Sequence, residues 1–109
     1  TCIVIDDICD TAGSLVAGCE ILKRHGAKDI YTGITHGVFS RDAIAKIENS
    51  PIKKMIITDT IPLREEQKTN TTKIHVLSIA EMLANTIESI ENHTPVSKVY
   101  EEYSFDSFK

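Results

Sequence analysis

Residues 3–15 have the sequence Ile3-Val4-Ile5-Asp6-Asp7-Ile8-Cys9-Asp10-Thr11-Ala12-Gly13-Ser14-Leu15. The apolar, β-branched beginning of this segment is typical of a strand that is buried on both faces in a parallel sheet. Two carboxylates follow where that strand should end, and a loop of small residues then leads into a helix. Ligands of open α/β sheets bind just outside the carboxyl ends of the strands. The segment therefore predicts a parallel α/β fold with a ligand site at residues 6–14.

The loop of residues 10–14 has the composition of an anion site. None of its side chains is bulkier than that of Thr11, so backbone N–H groups can close around an anion. The N-terminus of the following helix adds unpaired N–H donors and a partial positive charge. Asp6 and Asp7 would repel a phosphate, so we expect them to face sugar hydroxyls or a bound Mg²⁺. Together these features indicate a site for a ribose 5-phosphate group.

Each of these residues also has an ordinary structural interpretation when it is taken alone. Asp10 could cap a helix, Gly13 could be a turn glycine, and Cys9 could pack in the core. As a set they favour function, because two adjacent carboxylates at the end of a buried strand repel each other and cost stability. A P-loop is excluded, because the chain contains no Gly-Lys-Ser or Gly-Lys-Thr.

Composition limits the class of protein. The 109 residues, 41% of them apolar, can support one modest core. A formal charge of −4 argues against a nucleic-acid surface, and we expect no nucleic-acid partner. The three cysteines Cys2, Cys9 and Cys19 lack metal-ligand spacing, which predicts reduced thiols in a cytoplasmic protein. No apolar run reaches membrane length, so we expect no membrane partner.

The rest of the chain alternates between strand and helix patterns. We predict helices at 14–25, 40–49 and from 79 onward, and strands at 30–35, 55–58 and 73–77, with a loop or broken helix at 64–72. The last helix is expected to bury a stripe formed by Ile79, Leu83, Ile87 and Ile90. This order predicts a doubly wound, mainly parallel sheet with right-handed crossovers. Because the first strand needs neighbours on both sides, we also expect the chain to be an excerpt of a longer polypeptide.

Segment 3–15 resembles the phosphoribosyl-binding motif shared by type I phosphoribosyltransferases and ribose-phosphate pyrophosphokinases, which are the phosphoribosyl pyrophosphate (PRPP) synthetases. Ser14 stands where that motif more often has Thr, and it keeps the hydroxyl group. Three later segments resemble the PRPP synthetases specifically, namely Thr35-His36-Gly37-Val38-Phe39-Ser40, Thr58-Asp59-Thr60-Ile61-Pro62 and Ile74-His75-Val76-Leu77-Ser78-Ile79-Ala80. The resemblance extends from residue 1 to about residue 100.

This resemblance implies a type I phosphoribosyltransferase-like fold. Residues 1–91 would be the C-terminal part of such a domain, on the ribose 5-phosphate side, and residues 92–109 would be its C-terminal tail. The whole enzyme would be a homo-oligomeric ribose-phosphate diphosphokinase. It would transfer a diphosphoryl group from ATP to the 1-hydroxyl of ribose 5-phosphate with Mg²⁺, making PRPP for nucleotide biosynthesis.

The resemblance also implies roles for particular residues. Asp10, Thr11, Ala12, Gly13 and Ser14 would hold the 5-phosphate, while Asp6 and Asp7 would bind the ribose hydroxyls and Asp7 would also assist the metal. The family's catalytic loop, pyrophosphate loop and ATP-binding residues lie upstream of the motif, so we expect no catalytic residue here and no activity from this chain alone. His36, which follows a strand and precedes a glycine, is interpreted as structural.

The tail carries two further expectations. Ser97 matches a position at which the resembling family binds a regulatory anion, whereas Pro95 replaces another such position and Tyr100 replaces a phenylalanine. The aromatic residues of the tail are candidates for docking on a neighbouring subunit. They are Tyr100, Tyr103, Phe105 and Phe108.

Three alternatives stay open at this point. A phospho-acceptor receiver domain would use Asp6 and Asp7 with Asp59 as the acceptor, but it has no use for the small-residue loop. A base-transferring phosphoribosyltransferase would share the motif but not the later segments. An inactive regulatory homologue of PRPP synthetase would be expected to have a damaged loop, and this one is intact.

Overall fold

The computed structural model describes residues 1–102. They form β1 (Cys2–Cys9), α1 (Gly13–Arg24), β2 (Ile30–Gly37), α2 (Ala43–Glu48), β3 (Ile52–Thr58), α3 (Glu65–Thr69), β4 (Ile74–Leu77), α4 (Ala80–Glu91) and α5 (Ser97–Glu102). The chain divides into two compact units, the first being Thr1–Leu77 and the second beginning at Ser78. The first unit contains the whole sheet together with α1, α2 and α3.

The sheet of the first unit is parallel throughout, with the strand order β1-β2-β3-β4. In its register Asp6 lies beside Ile34, which in turn lies beside Ile57. The predicted α/β fold, with a parallel sheet and alternating helices, is confirmed. Consecutive strands are added in one direction, and right-handed crossovers then place the connecting helices on one face.

That helix-covered face holds the core. Alternate residues of the two middle strands point into it, as the period of a strand requires. Cys19 of α1 and Ile47 of α2 pack against them. The fully buried members of the strands include Ile30, Thr32, Ile52, Met55 and Ile57. Leu15 and Leu22 of α1 are partly buried against the same cluster.

The first strand differs from its prediction. β1 lies at the edge of the described sheet and pairs only with β2. The side chains of Ile3 and Ile5 are 70% and 76% exposed, although Cys2 and Val4 on the opposite face pack against the core. The prediction of a strand buried on both faces is therefore wrong for this chain. Apolar character on both sides of β1 identified it as a strand but did not provide the elements that would cover it.

The second unit contains α4 and α5. Ser78 accepts a hydrogen bond from the backbone N–H of Ala80 at 3.1 Å, at the start of α4. The predicted stripe of α4 is not buried, since Leu83, Ile87 and Ile90 are 49%, 62% and 61% exposed. Periodicity located the apolar face of the helix but could not show what covers it.

The tail can be assessed only in part. Tyr100 is exposed, and the other three aromatic residues considered above lie outside the described residues. Within residues 1–102, no helix is both long enough and apolar enough to cross a lipid bilayer.

Candidate functional site

The two adjacent aspartates lie within β1, because this strand continues to Cys9. The prediction that they follow the strand's end is wrong, because the strand ends four residues later than expected, at Cys9 rather than Ile5. Both side chains are exposed, and Asp6 Oδ1 accepts a hydrogen bond from the backbone N–H of Asp7 at 2.8 Å. Consecutive side chains of a strand project to opposite faces. The two carboxylates are therefore presented on different sides of the sheet.

The loop after β1 turns sharply into α1. Ala12 has φ 69° and ψ 0°, a left-handed conformation, and it is buried. The first hydrogen bond of the helix runs from the N–H of Val16 to the carbonyl of Ala12 at 2.9 Å. The N–H groups of residues 13–15 precede that bond, so they are the donors that a helix N-terminus offers to an anion. A Cβ atom added to Gly13 would meet no other atom within 4 Å.

These residues surround one shallow pocket of about 200 Å³. The pocket brings together six of the seven residues predicted to bind ribose 5-phosphate, because Asp7 does not line it. Its lining is Asp6, Ile8, Cys9, Asp10, Thr11, Ala12, Gly13, Ser14 and Leu15.

The electrostatics of the pocket are unusual for an anion site. None of the described residues that line it is a lysine or an arginine. An anion would be held by backbone N–H groups and by the hydroxyls of Thr11 and Ser14, while the carboxylates of Asp6 and Asp10 would oppose it. A bound cation would remove much of that repulsion. This composition fits a ligand that carries hydroxyl groups beside its anionic group.

Cys9 contributes its backbone rather than its thiol. Burial, together with the negative charges of Asp10 and Asp6, raises the pKa of Cys9 to about 11. The thiol is therefore protonated and inert near neutral pH, in line with its interpretation as a packed residue. Its carbonyl accepts hydrogen bonds from the N–H groups of Val38 and Phe39 at 3.0 and 3.2 Å.

The loop between β2 and α2 thus lies directly behind the candidate site. The N–H of Ser40 donates to the carbonyl of Asp10 at 2.9 Å, so three consecutive N–H groups hold the start of the pocket loop. Phe39 and Arg41 both have left-handed backbones, with φ 52° and 57°. We used Thr35–Ser40 only as a segment that resembles the PRPP synthetases. The contact with the pocket loop was not predicted, because no local sequence pattern indicates it.

The ends of β2 and β3 are joined by side-chain hydrogen bonds. His36 Nδ1 lies 2.7 Å from the hydroxyl of Thr60, and the hydroxyl of Thr58 donates to the carbonyl of Thr35 at 2.6 Å. Two of the three later segments singled out in the sequence therefore lie side by side. The bond to Thr60 agrees with the structural role assigned to His36.

The strand order excludes the receiver-domain alternative. Receiver domains have the order 2-1-3-4-5, in which the first and third strands are neighbours. Here β2 separates β1 from β3. The strand that precedes Asp59 therefore lies two strand spacings, or roughly 9.6 Å, from the strand that carries Asp6. The three aspartates cannot form one acidic cluster across adjacent strands.

Two other predicted sites, the metal at Asp7 and the regulatory anion at Ser97, show few groups that would hold a ligand. Among residues 1–102, no group of three or more His, Cys, Asp or Glu side chains is arranged to hold a metal ion. A metal at Asp7 would therefore not find three protein ligands of these kinds among residues 1–102. Ser97 is exposed at the first position of α5.

Comparison with known proteins supports a single family. The family described as the phosphoribosyl synthetase-associated domain matches residues 1–101. The chain is 49% identical over 98 residues to a ribose-phosphate pyrophosphokinase of Caldanaerobacter subterraneus subsp. tengcongensis, covering 90% of this chain and 30% of that protein. It is 44% identical over 100 residues to the enzyme of the same name from Clostridium acetobutylicum, covering 92% of this chain and 31% of that protein.

A solved structure agrees with these relatives. The crystal structure of phosphoribosylpyrophosphate synthetase from Mycobacterium smegmatis matches with a TM-score of 0.80 and 36% identity, over 84% of this chain and 30% of that one. The chain thus spans about a third of the length of the proteins that it matches. The sequence match along residues 1–101 and the shared fold show that the chain belongs to the phosphoribosyl synthetase-associated domain family.

Proposed function

We propose that the chain is the ribose 5-phosphate-binding part of a ribose-phosphate pyrophosphokinase. Residues 1–91 are the C-terminal part of its phosphoribosyltransferase-like domain, and residues 92–109 are the C-terminal tail. The observation that carries this proposal is the pocket in which Asp6 faces the backbone donors and hydroxyls of residues 10–14. Relatives named ribose-phosphate pyrophosphokinase supply the reaction class.

In this proposal the two ends of the ligand meet different groups. The phosphate is held by the N–H groups of residues 13–15 and by the hydroxyls of Thr11 and Ser14. Asp6 accepts hydrogen bonds from the ribose 2- and 3-hydroxyls, which a carboxylate can do without a counter-charge. Asp10 shapes the loop through its carbonyl, which Ser40 binds. Ala12 provides the left-handed turn, and Gly13 leaves room for the phosphate.

Asp7 is proposed to assist Mg²⁺. Mg²⁺ keeps several waters and is usually bound by one or two carboxylates together with substrate phosphates. The exposed carboxylate of Asp7 fits that requirement, and three protein ligands are not needed. When bound, Mg²⁺ offsets negative charge on the triphosphate of ATP and on the sugar phosphate.

The exposed apolar surface supports the proposal that the chain is part of a larger domain. Ile3 and Ile5 lie on the edge strand β1 and are both more than two-thirds exposed. A doubly wound sheet continues beyond its first strand in the opposite direction and covers both faces of that strand. We propose that upstream segments of the enzyme fill this position and carry the catalytic and ATP-binding groups. The enzyme would be a homo-oligomer with Ser97 near a regulatory anion.

The loop is tested with two valine substitutions in one helix. Gly13→Val should abolish binding of ribose 5-phosphate, because the branched side chain fills the space that the phosphate needs. Gly18→Val is the matched control, since a Cβ atom there also meets none of the described atoms within 4 Å and valine has a higher helix propensity than glycine, so the change does not weaken the helix. Binding is measured by NMR titration and folding by circular dichroism. Equal binding by both variants would refute the assignment of the loop.

A second arm separates the acidic residue from the loop. Asp6→Asn should weaken ribose 5-phosphate binding more than sulfate binding, because only the sugar phosphate carries the hydroxyls. Equal losses for both ligands would show that Asp6 only shapes the loop. Release of AMP from ATP and ribose 5-phosphate by the 109 residues alone would contradict the proposal that the catalytic groups lie elsewhere in the enzyme.

A further inference from the structure

We propose that Gln67 is a positioning residue for the candidate phosphate loop. From α3 it holds Phe39, and through the β2–α2 loop it holds the carbonyl groups of Cys9 and Asp10. This inference rests on the proposed function, because it assigns to α3 a role in the ribose 5-phosphate site. Gln67 is the one buried residue of α3 and lies far from the phosphoribosyl-binding motif in sequence.

Both polar atoms of the Gln67 side-chain amide make hydrogen bonds. Its Nε2 donates to the carbonyl of Phe39 at 3.2 Å, and its Oε1 accepts from the backbone N–H of Arg64 at 2.9 Å. Only 6% of the residue is exposed. A buried amide with both groups satisfied fixes its partners, because breaking either bond leaves a polar group without water.

Phe39 is a residue whose backbone must be held in place. Its φ of 52° lies in the left-handed region, which costs a non-glycine residue free energy unless its surroundings enforce it. Its ring is fully buried and packs on Gly37, where an added Cβ atom would lie 2.5 Å from ring atom Cε2. The ring contact and the Gln67 bond therefore act together to hold the left-handed turn.

The turn at residues 38–40 fixes the backbone at the start of the pocket loop. The N–H groups of Val38 and Phe39 bind the carbonyl of Cys9, and that of Ser40 binds the carbonyl of Asp10. The C=O and N–H of a trans peptide point in opposite directions. The carbonyl of Asp10 bound to Ser40 therefore directs the N–H of Thr11 away from the β2–α2 loop. If the turn loosens, the N–H of Thr11 loses its fixed direction, and the start of the loop that leads to the donors of residues 13–15 is no longer held.

A different explanation is that Gln67 only caps α3 through Arg64. Two variants distinguish the explanations. Gln67→Glu keeps an oxygen acceptor for Arg64 but places a carboxylate against the Phe39 carbonyl, so only the bond to Phe39 is lost. Gln67→Met keeps the volume and loses both bonds without burying a charge, which protects against simple unfolding. Asn70→Asp, an exposed change of the same chemical kind at the end of α3, is the matched control.

The first readout needs no ligand. Amide hydrogen exchange in the 109-residue chain at pH 8 should be about tenfold faster at Val38, Phe39 and Ser40 in both Gln67 variants, the size expected for the loss of one hydrogen bond. Core amides such as that of Ile57 should be unchanged, and Asn70→Asp should match the wild type. Faster exchange in Gln67→Met alone would mean that the cap is the whole role, and would overturn the proposal.

The second readout is ligand binding. Ribose 5-phosphate should bind Gln67→Glu and Gln67→Met several-fold more weakly than the wild type, in proportion to the faster exchange. Unchanged affinity with loosened amides would refute a role in positioning. A wild-type chain that does not bind ribose 5-phosphate would refute the proposed function instead, while the exchange measurement would still decide whether Gln67 holds the loop.

Discussion

Gly37→Ala is the smallest change that should disturb the candidate site from behind. An alanine Cβ atom at this position would lie 2.5 Å from Cε2, 2.8 Å from Cζ and 3.2 Å from Cδ2 of Phe39. The ring is 0% exposed, so it has no solvent to move into. The backbone of Gly37 has no positive φ, so alanine can adopt its conformation, and the perturbation is purely one of space.

The change that Gly37→Ala makes in the free energy of unfolding follows from two opposing contributions. Forcing extra volume into a packed core costs about 1–3 kcal/mol, whereas replacing a glycine restricts the unfolded chain and returns about 0.4–1 kcal/mol. The net destabilisation should be about 1–2 kcal/mol. For a domain of this size each kcal/mol lowers Tm by about 4–8 °C. Gly33→Ala in the same strand is the control, because its Cβ atom would meet only the Cδ1 of Ile5, at 3.1 Å, on a side chain free to rotate.

The assay combines thermal unfolding with titration by ribose 5-phosphate. Gly37→Ala should lower both Tm and affinity, since the displaced ring belongs to the residue that binds the Cys9 carbonyl. Gly33→Ala should match or slightly exceed the wild type in both. A Gly37→Ala protein as stable as the Gly33→Ala protein, with unchanged affinity, would refute the claim that Phe39 is immobilised behind the pocket.

Two further predictions concern stability alone. The hydroxyl of Thr32 is buried and has no hydrogen-bond partner among residues 1–102, so Thr32→Val should stabilise the fold by about 1 kcal/mol in urea unfolding. Thr58→Val, which removes a 2.6 Å bond to the carbonyl of Thr35, should destabilise it by a similar amount. Partial burial raises the pKa of Glu48, but hydrogen bonds from residues 71–73 outweigh it and leave the pKa below its ordinary value. The stabilisation of the fold by the ionised Glu48 carboxylate is therefore present above about pH 4.5 and lost as the pH falls. Glu48→Gln should lower the free energy of unfolding by about 1 kcal/mol at pH 7 and by progressively less below about pH 4.5. A loss that is independent of pH would contradict this assignment.

The order of the elements from β1 to α4 could be predicted because each follows from local chemistry, although α3 was expected only as a loop or broken helix, and α5 was not predicted within the tail. β-branched runs gave the strands, and the apolar period of 3.6 gave α1 and α4. The predicted boundaries of the elements were wrong where the local sequence is ambiguous. The strand predicted at 55–58 begins at Ile52, because Lys53 and Lys54 are exposed strand residues rather than a loop. The helix predicted from residue 40 begins at Ala43, after two left-handed residues that are not glycine and so gave no signal.

The candidate site was predictable only where the sequence is local. Residues 10–14 are contiguous, and their small side chains are the pattern from which we predicted an anion site. The parts that hold the loop from behind come from β2, α2 and α3, and their contacts are set by tertiary packing. Gln67 illustrates the limit, because a glutamine in a polar segment gives no hint that its amide is buried against a carbonyl 28 residues away.

In the proposed function, the position of the acidic pair would give the two aspartates separable tasks. Asp6 lines the pocket on the helix-covered side, whereas Asp7 projects from the opposite face of the same edge strand. A ligand held in the pocket by the helix N-terminus can reach Asp6 directly, and it can reach Asp7 only around the end of the strand or through a bridging ion. Mg²⁺, which shares its ligands between carboxylate, water and phosphate, is suited to bridge that distance. The proposal that Asp7 assists Mg²⁺ therefore addresses the charge of this pocket: none of its described lining residues is a lysine or an arginine, and the ion would supply positive charge that the lining lacks.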